Sequence, residues 1–342
     1  MKRTPLAAAL DGAVTTTDLG VEVAAHYGDP TAEYLALRRE VGVVDRSAST
    51  VVSVSGPDAL SYLQSQLSQD LDGLEIGGAV HALLLAPQGK LQADLRVVRY
   101  SADELILLGD IGVAPQLVEG LERFKIRVKA TIEDRTGRWG VVDVRGPAIP
   151  EGLPGVPTVV AAPADWPGLP GLDLVGPLPA VEAAWAELLE AGIARCGLDA
   201  YEAVRIEAGI PRQGHDIGES TIPQEAFLEV DAVSFTKGCF PGQELVCRID
   251  SRGHVNKLLR GLRVTGSVQP PVGAAVVDAG GRTVGTVSSV GVSLETMAVV
   301  ALATIRRDVE PLAPVSLQWD TAEVPAVVTT LPLIASPTRA DL

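Results

Sequence analysis

The sequence predicts an α+β protein of two or three packed units that closes in a run of short strands. Three observations lead there. The chain has 342 residues, beyond the roughly 250–300 at which a single hydrophobic core stops growing. Up to His254, amphipathic helices alternate with strands of period two. After His254, short β-like runs over 258–264, 274–278, 283–290, 297–303, 315–319 and 324–330 are separated by Gly, Pro and Asp turns, the pattern of a small barrel or sandwich.

Taken in order, Tyr34, Leu37 and Val41 recur at helical spacing behind Asp29 and Pro30, and Gly42 stops that helix before a short strand over 42–46. Residues 51–54 are β-like. Ser55-Gly-Pro-Asp58 opens a second helix with Leu60, Leu63, Leu67 and Leu71 on one face and Gln64, Gln66 and Gln69 on the other. A hairpin follows, 81–85 and 91–100 around the turn 87–90, then a strand over 104–108 and a helix over 114–122. Arg123-Phe-Lys-Ile-Arg-Val-Lys129 alternates strictly and reads as a strand with Phe124, Ile126 and Val128 on one face and Arg123, Lys125, Arg127 and Lys129 on the other. Such a row is ordinarily a solvated outer face. It is also the densest positive cluster in the chain, where RNA phosphate or a polyglutamate tail can settle. Nine prolines between Gly146 and Ala180 make that stretch a connector of loops around short strands. Helices resume over 180–196 and 198–207.

Composition narrows the function classes. A net charge of -15 excludes coating nucleic acid or an anionic membrane by bulk electrostatics. Cys196, Cys239 and Cys247 form neither an even set nor a Cys-x-x-Cys pair, so no disulfide framework or zinc site is indicated, and a reducing compartment fits. The apolar run after Lys2 and Arg3 ends at Asp11, short of a signal-peptide core, and no stretch approaches the 18 or so uncharged apolar residues of a membrane span. A cytoplasmic protein without membrane contact is expected. Dinucleotide and phosphate-loop glycine patterns, a Gly-x-Ser-x-Gly elbow and metal-ligand histidine spacing are all missing, so no metal is expected.

The chemistry concentrates in Lys237-Gly-Cys-Phe-Pro-Gly-Gln-Glu244. Cys239 lies between glycines, and a cation at Lys237 favours its thiolate. Against that stands a small buried Cys in a tight turn, the commoner fate of a free thiol. Gln243, Glu244 and Arg248 gather where the loop enters the β-like run 245–250, a place to bind a ligand. Glu207 ends a helix against Gly209 and Pro211, where the helix dipole disfavours a carboxylate. A carboxylate can accept the adjacent N–H donors of a pterin in bidentate fashion.

Arg205-Ile-Glu-Ala-Gly-Ile-Pro211, Ile222-Pro-Gln-Glu225 and Ser234-Phe-Thr-Lys-Gly-Cys-Phe-Pro-Gly-Gln-Glu244, in that order and spacing, resemble the folate-binding YgfZ proteins. The similarity extends to Gly56-Pro-Asp58, Leu63-Gln64, Asp70, Gln88-Gly-Lys90 and Thr283-Val-Gly-Thr-Val-Ser-Ser289. The wider superfamily includes the glycine-cleavage T-protein, an aminomethyltransferase. The resemblance implies a three-domain T-protein-like arrangement around a central folate cavity, with 1–50 plus 137–250 as one discontinuous domain, 51–136 as the second and 255–342 as a C-terminal β-barrel. It implies tetrahydrofolate or a derivative as cofactor and a role in maturing or repairing iron–sulfur client proteins, including one that modifies tRNA. Cys239 and Lys237 inherit the functional Lys-Gly-Cys assignment, and Glu207 that of the pterin-binding carboxylate.

T-proteins carry paired acids after a Gly-Gly turn, one of which promotes transfer. This chain reads Gly89-Lys-Leu-Gln-Ala-Asp94 and keeps only Asp94. That departure counts against standard aminomethyl transfer. Three readings stand: a folate-dependent accessory protein acting through Cys239, an aminomethyltransferase acting through Asp94, and a non-catalytic folate sensor or RNA adaptor using Arg123 to Lys129.

Overall fold

The computed structural model describes residues 2–153 and 155–334, which form three open sheets and a closed barrel. The first helix, Pro30–Arg39, starts on local chemistry. Pro30 needs no amide partner, and Asp29 Oδ1 accepts hydrogen bonds from the amides of Thr31 and Ala32 at 3.1 Å each, satisfying donors that a helix start leaves open. Tyr34 and Leu37 then turn into the core.

Strand Gly42–Asp45 follows and joins a five-stranded sheet in the order Val160–Pro163, Gly171–Pro177, Trp139–Arg145, Gly42–Asp45, Ala194–Arg195. Between Asp45 and Trp139 the chain builds a second sheet, Ala79–Leu85, Leu91–Ser101, Glu104–Gly109, Thr50–Ser55, Thr131–Asp134, with helices Ala59–Gln66 and Ala114–Phe124 packed on its core. A small sheet of Lys2–Arg3, Val21–His26 and Val14–Asp18 precedes both.

The C-terminal strands close a six-stranded barrel, Lys257–Val264, Ala298–Arg306, Thr283–Ser293, Ala275–Asp278, Pro314–Trp319, Ala322–Thr329. Its first and last strands pair, as Leu262 with Val328, so the barrel has no open edge. Short alternating strands with valine and alanine at the inward positions fill so small an interior, and Val276, Val287, Ala301, Ala303 and Leu317 do so here. Helix Leu198–Ala208 lies across Thr283–Ser293. Gly291 permits that approach, because a Cβ there would stand 3.2 Å from Ala203 Cα. The expected mixed fold with a C-terminal barrel is the observed one. Among the described residues no helix is long and apolar enough to cross a membrane.

Two buried guanidinium groups join these layers. Arg205 donates to Glu202 at 3.0 Å, to Asp216 at 2.8 Å, to the Ile210 carbonyl at 2.7 Å and to barrel Ser289 at 2.7 Å. Arg212 donates to Asp18 of the N-terminal sheet at 2.5 Å, to Asp110 beyond the second sheet at 3.3 Å and to Glu202 at 2.9 Å.

Two expected strands are absent. The alternating segment 123–129 begins as the last turn of helix Ala114–Phe124 and continues as irregular chain. Leu117 and Leu121 hold the helix to the core, and Thr131–Asp134 takes the place beside Thr50–Ser55. Phe124 and Ile126 are left 43% and 77% exposed, and only Val128 packs inward. The single basic face therefore does not form, and Arg123 and Lys125 pair with Glu119 and Glu122 of their own helix. Residues 245–250 belong instead to helix Gln243–Arg252, where Val246 is the buried contact. The strands Val14–Asp18, Val21–His26 and Trp139–Arg145 escaped the pattern reading. All seven residues of the last are buried, including a charged pair that breaks the apolar run.

Arg205→Ala would leave Asp216 buried and uncompensated and should cost about 3–5 kcal/mol, read from urea unfolding. Burial works against the charge of Asp18, but His215 and Arg212 more than offset it and hold its carboxyl well below the usual range. Its pairing thus contributes stability above an unfolded pKa of about 4 and loses that contribution as pH falls further. Asp18→Asn should flatten the acid limb of stability against pH, measured by denaturation from pH 7 down to 2.

Candidate functional site

A cavity of about 550 Å³ opens where the two five-stranded sheets meet the end of helix Leu198–Ala208, a volume in the range of small-molecule sites. Strand Leu91–Ser101 shows how the chain places chemistry there. Leu91, Ala93, Leu95 and Val97 are buried, and the intervening Asp94 and Arg96 belong to the opposite face and line the cavity. Asp94 Oδ1 lies 2.5 Å from His81 Nε2 on the adjacent strand, and the Asp94 amide donates to Gln213 Oε1 at 2.8 Å. His81 holds the carboxylate and Gln213 the backbone of the same residue.

The opposite wall comes from the Pro-rich connector. Asp173 lines the cavity, faces Asp143 across the strand pair and meets Arg96 Nε at 3.2 Å. Burial raises its pKa, Arg96 lowers it, and the like charge of Asp143 raises it again, for a net upward shift. Arg145 grips Asp143 through two nitrogens at 3.1 and 2.8 Å and lies 3.6 Å over the Trp166 ring. Trp166 meets Tyr201 edge-on at 5.1 Å. Arg46 lies over Tyr201 and pairs with Asp110, while its buried Nη1 has no hydrogen-bond partner. The cavity thus combines aromatic walls, a donor awaiting an acceptor, and several carboxyls.

Sequence reasoning named Asp94 and missed Asp173, Arg46, Arg145 and Trp166. The available signal was a lone Asp inside Gly171-Leu-Asp-Leu-Val175, a charge where a buried strand is otherwise apolar.

The other expected residues lie elsewhere. Glu207 is fully buried and outside the cavity lining. Its carboxylate accepts from the Tyr34 hydroxyl and lies 3.5 Å from Arg38 Nε. Burial raises its pKa against the pull of Ser293, Tyr34 and Arg38. These contacts join helix Leu198–Ala208 to helix Pro30–Arg39, and Glu207 Oε2 is buried with no hydrogen-bond partner. Gln243, Glu244 and Arg248 ride on helix Gln243–Arg252, also outside the lining.

Lys237 donates to the carbonyls of Gln64, Leu67 and Gln69 at 2.5, 2.7 and 2.9 Å. It thereby closes the C-terminal end of helix Ala59–Gln66, the favoured place for a cation. Burial brings its pKa down to about 8, against the pull of Asp70 and Asp72. Phe240 is buried, and Gly242, at φ +80°, packs against the 87–90 turn, where a Cβ would stand 2.7 Å from the Ala86 carbonyl. Cys239, between these anchors, is exposed. The buried-turn alternative does not hold for it, whereas Cys196 is buried.

One antiparallel and one mixed sheet meeting at a polar, carboxyl-lined cavity, together with a C-terminal barrel, define the class. The family model for the GCVT N-terminal domain matches residues 7–156. The chain is 30% identical to an aminomethyltransferase of Bordetella petrii, over 98% of this chain and 96% of the relative. It is 28% identical to an aminomethyltransferase of Streptomyces avermitilis, over 81% and 82%. The crystal structure of glycine cleavage system aminomethyltransferase T from Bartonella henselae superposes with a TM-score of 0.86 at 22% identity, covering 98% of each chain, and shares the fold. The chain belongs to the aminomethyltransferase family, within the T-protein superfamily.

In the native protein a thiol reagent should modify Cys239 fast and Cys196 only on unfolding. Cys239→Ala should abolish the fast phase, measured by mass spectrometry of timed alkylation.

Proposed function

We propose that the chain binds tetrahydrofolate or a derivative in the central cavity and handles a one-carbon unit beside Asp94. The observation that carries this is the facing of the hairpin strand. Ala93, where T-proteins have a second acid, is turned into the core, so an acid there would not reach the cavity. Asp94 is the position that does, and its retention favours the transferase chemistry that the relatives' name describes. The departure at Ala93 therefore counts for less than the sequence comparison suggested.

The cavity residues fit a pterin. Asp173, held by one arginine contact, keeps acceptor capacity for adjacent N–H donors, and the unpartnered Arg46 Nη1 suits a carbonyl oxygen. Asp143, by contrast, is occupied by Arg145. The pterin-recognising carboxylate is thus Asp173 in this reading, in place of Glu207. Bound tetrahydrofolate supplies the amine nitrogen that carries or accepts the one-carbon unit. Asp94, oriented by His81 and Gln213, is placed to exchange a proton at that end. The division into 1–50 with 137–250, 51–136 and 255–342 belongs to the same reading and is supported by strand membership in the sheets.

A second reading, an accessory protein of the YgfZ type for iron–sulfur clients and tRNA modification, is favoured by the exposure of Cys239 on a loop pinned at both ends. One Cys cannot complete a cluster site, which usually takes four ligands, so any cluster would be shared with a client. Gln243, Glu244 and Arg248 follow this loop and would contact the client in place of the folate.

Calorimetric titration with tetrahydrofolate should show binding by the native protein and by Cys239→Ala, with a loss of tenfold or more for Asp173→Ala, in line with a charge-assisted contact of about 1.5–3 kcal/mol. No binding by the native protein would remove folate from the proposal. With folate bound, loss of aminomethyl transfer in Asp94→Asn supports the transferase. Loss of iron–sulfur enzyme activity in a Cys239→Ala strain, with transfer absent throughout, supports the accessory role.

A further inference from the structure

The side chain that decides how Asp173 stands in the cavity is Arg145. It is 1% exposed, and every edge of its guanidinium is used. Nε and Nη2 hold the two Asp143 oxygens, Nη2 also donates to the Ala164 carbonyl at 2.8 Å, and Nη1 donates to the Leu169 carbonyl at 3.3 Å. One face lies on Trp166. Against it stands Gly171, where a Cβ would fall 2.6 Å from the guanidinium nitrogens. The group therefore fastens both arms of the turn 164–171, and two residues further on the same strand carries Asp173.

It also governs charge. Asp143 and Asp173 are direct cross-strand partners, an arrangement that repels when both are ionised. Arg96 from the second sheet, Arg46 after strand Gly42–Asp45, and Asp143 with Arg145 on the neighbouring strand are the charged groups acting on Asp173. Its partner on the other side is Ala162, which carries none. Of these groups only Arg145 binds Asp143 in a two-point fork.

We propose that Arg145 is a positioning residue for ligand recognition: it fixes the 164–171 wall and masks the charge of Asp143, so that Asp173 can present an ionised carboxylate to the donor edge of a pterin. The proposal rests on the folate reading of the cavity. Lysine cannot substitute, since one ammonium lacks the planar fork that reaches Asp143 and two carbonyls together.

The test is calorimetric titration of the whole chain with tetrahydrofolate from pH 5 to 9, using the native protein, Asp173→Ala, Arg145→Lys and Asp143→Asn. Binding by the native protein should be lost as pH falls through the titration of Asp173. Arg145→Lys should bind at least tenfold more weakly, with the pH of half-maximal binding moved upward because Asp143 is less well masked. Asp143→Asn should move it downward. If Asp173→Ala loses binding but the other two variants keep native affinity and midpoint, the positioning role is overturned and the folate reading survives. If the native protein fails to bind, or Asp173→Ala binds as well as it does, the folate reading falls and this proposal with it. Should Arg145→Lys not fold, Asp143→Asn carries the test, and an unmoved midpoint overturns the proposal.

Discussion

The architecture depends on two buried guanidinium groups. Arg205 and Arg212 gather Glu202, Asp216, Asp18 and Asp110, carboxylates from a helix, a loop, the N-terminal sheet and the end of the second sheet's central strand. Each alone would carry a large desolvation cost, and together they are satisfied only when those elements are in place. Ser288 and Ser289 of the barrel complete the shell around Asp216. This is a requirement of registry as much as of stability: hydrophobic burial pulls layers together without fixing their orientation, whereas a fork of hydrogen bonds does. Because Arg205, Asp110 and Arg212 also line the cavity, the network that joins the layers forms part of the site.

The cavity follows from strand periodicity at a junction of sheets. Strand Leu91–Ser101 sends one face to the core of the second sheet and the other, with Asp94 and Arg96, to the opening. Strand Gly171–Pro177 supplies Asp173 from the other side. Arg96 reaches across to Asp173, so the two sheets are coupled through the site. A polar cavity of this kind leaves donors and acceptors waiting for a ligand, at a cost in stability that a fully apolar junction would avoid.

The Lys-Gly-Cys segment has a structural account that its sequence hides. Lys237 stops a helix, Phe240 fills a core position, and Gly242 meets the 87–90 turn backbone to backbone. Three of its signature residues are joinery, and the one they leave outside is the thiol. A motif can thus be recognisable chiefly because its frame is demanding, with the chemistry carried by the residue that makes no contact in the frame.

How much was legible depended on where the information lay. Helix starts such as Asp29-Pro30, the hairpin around Gly89, the barrel strands and the inward and outward faces of Leu91–Ser101 were set by local sequence, because capping, turn geometry and period two act over a few residues. The motif order around Arg205, Ile222 and Lys237 pointed to the superfamily. Asp94 was found because it stands next to a recognisable turn. Tertiary structure alone decided the rest. The alternation of 123–129 lost its strand because Thr131–Asp134 took the place beside Thr50–Ser55, and 245–250 became helix because Val246 had a core to reach. Glu207 was drawn into a contact with Tyr34, 173 residues away in sequence, and Asp173 was turned into the cavity from a connector whose prolines made it read as loop. Local sequence states what a residue can do, but which carboxylate meets a ligand is set by the partners that packing brings to it, and those partners come from distant parts of the chain.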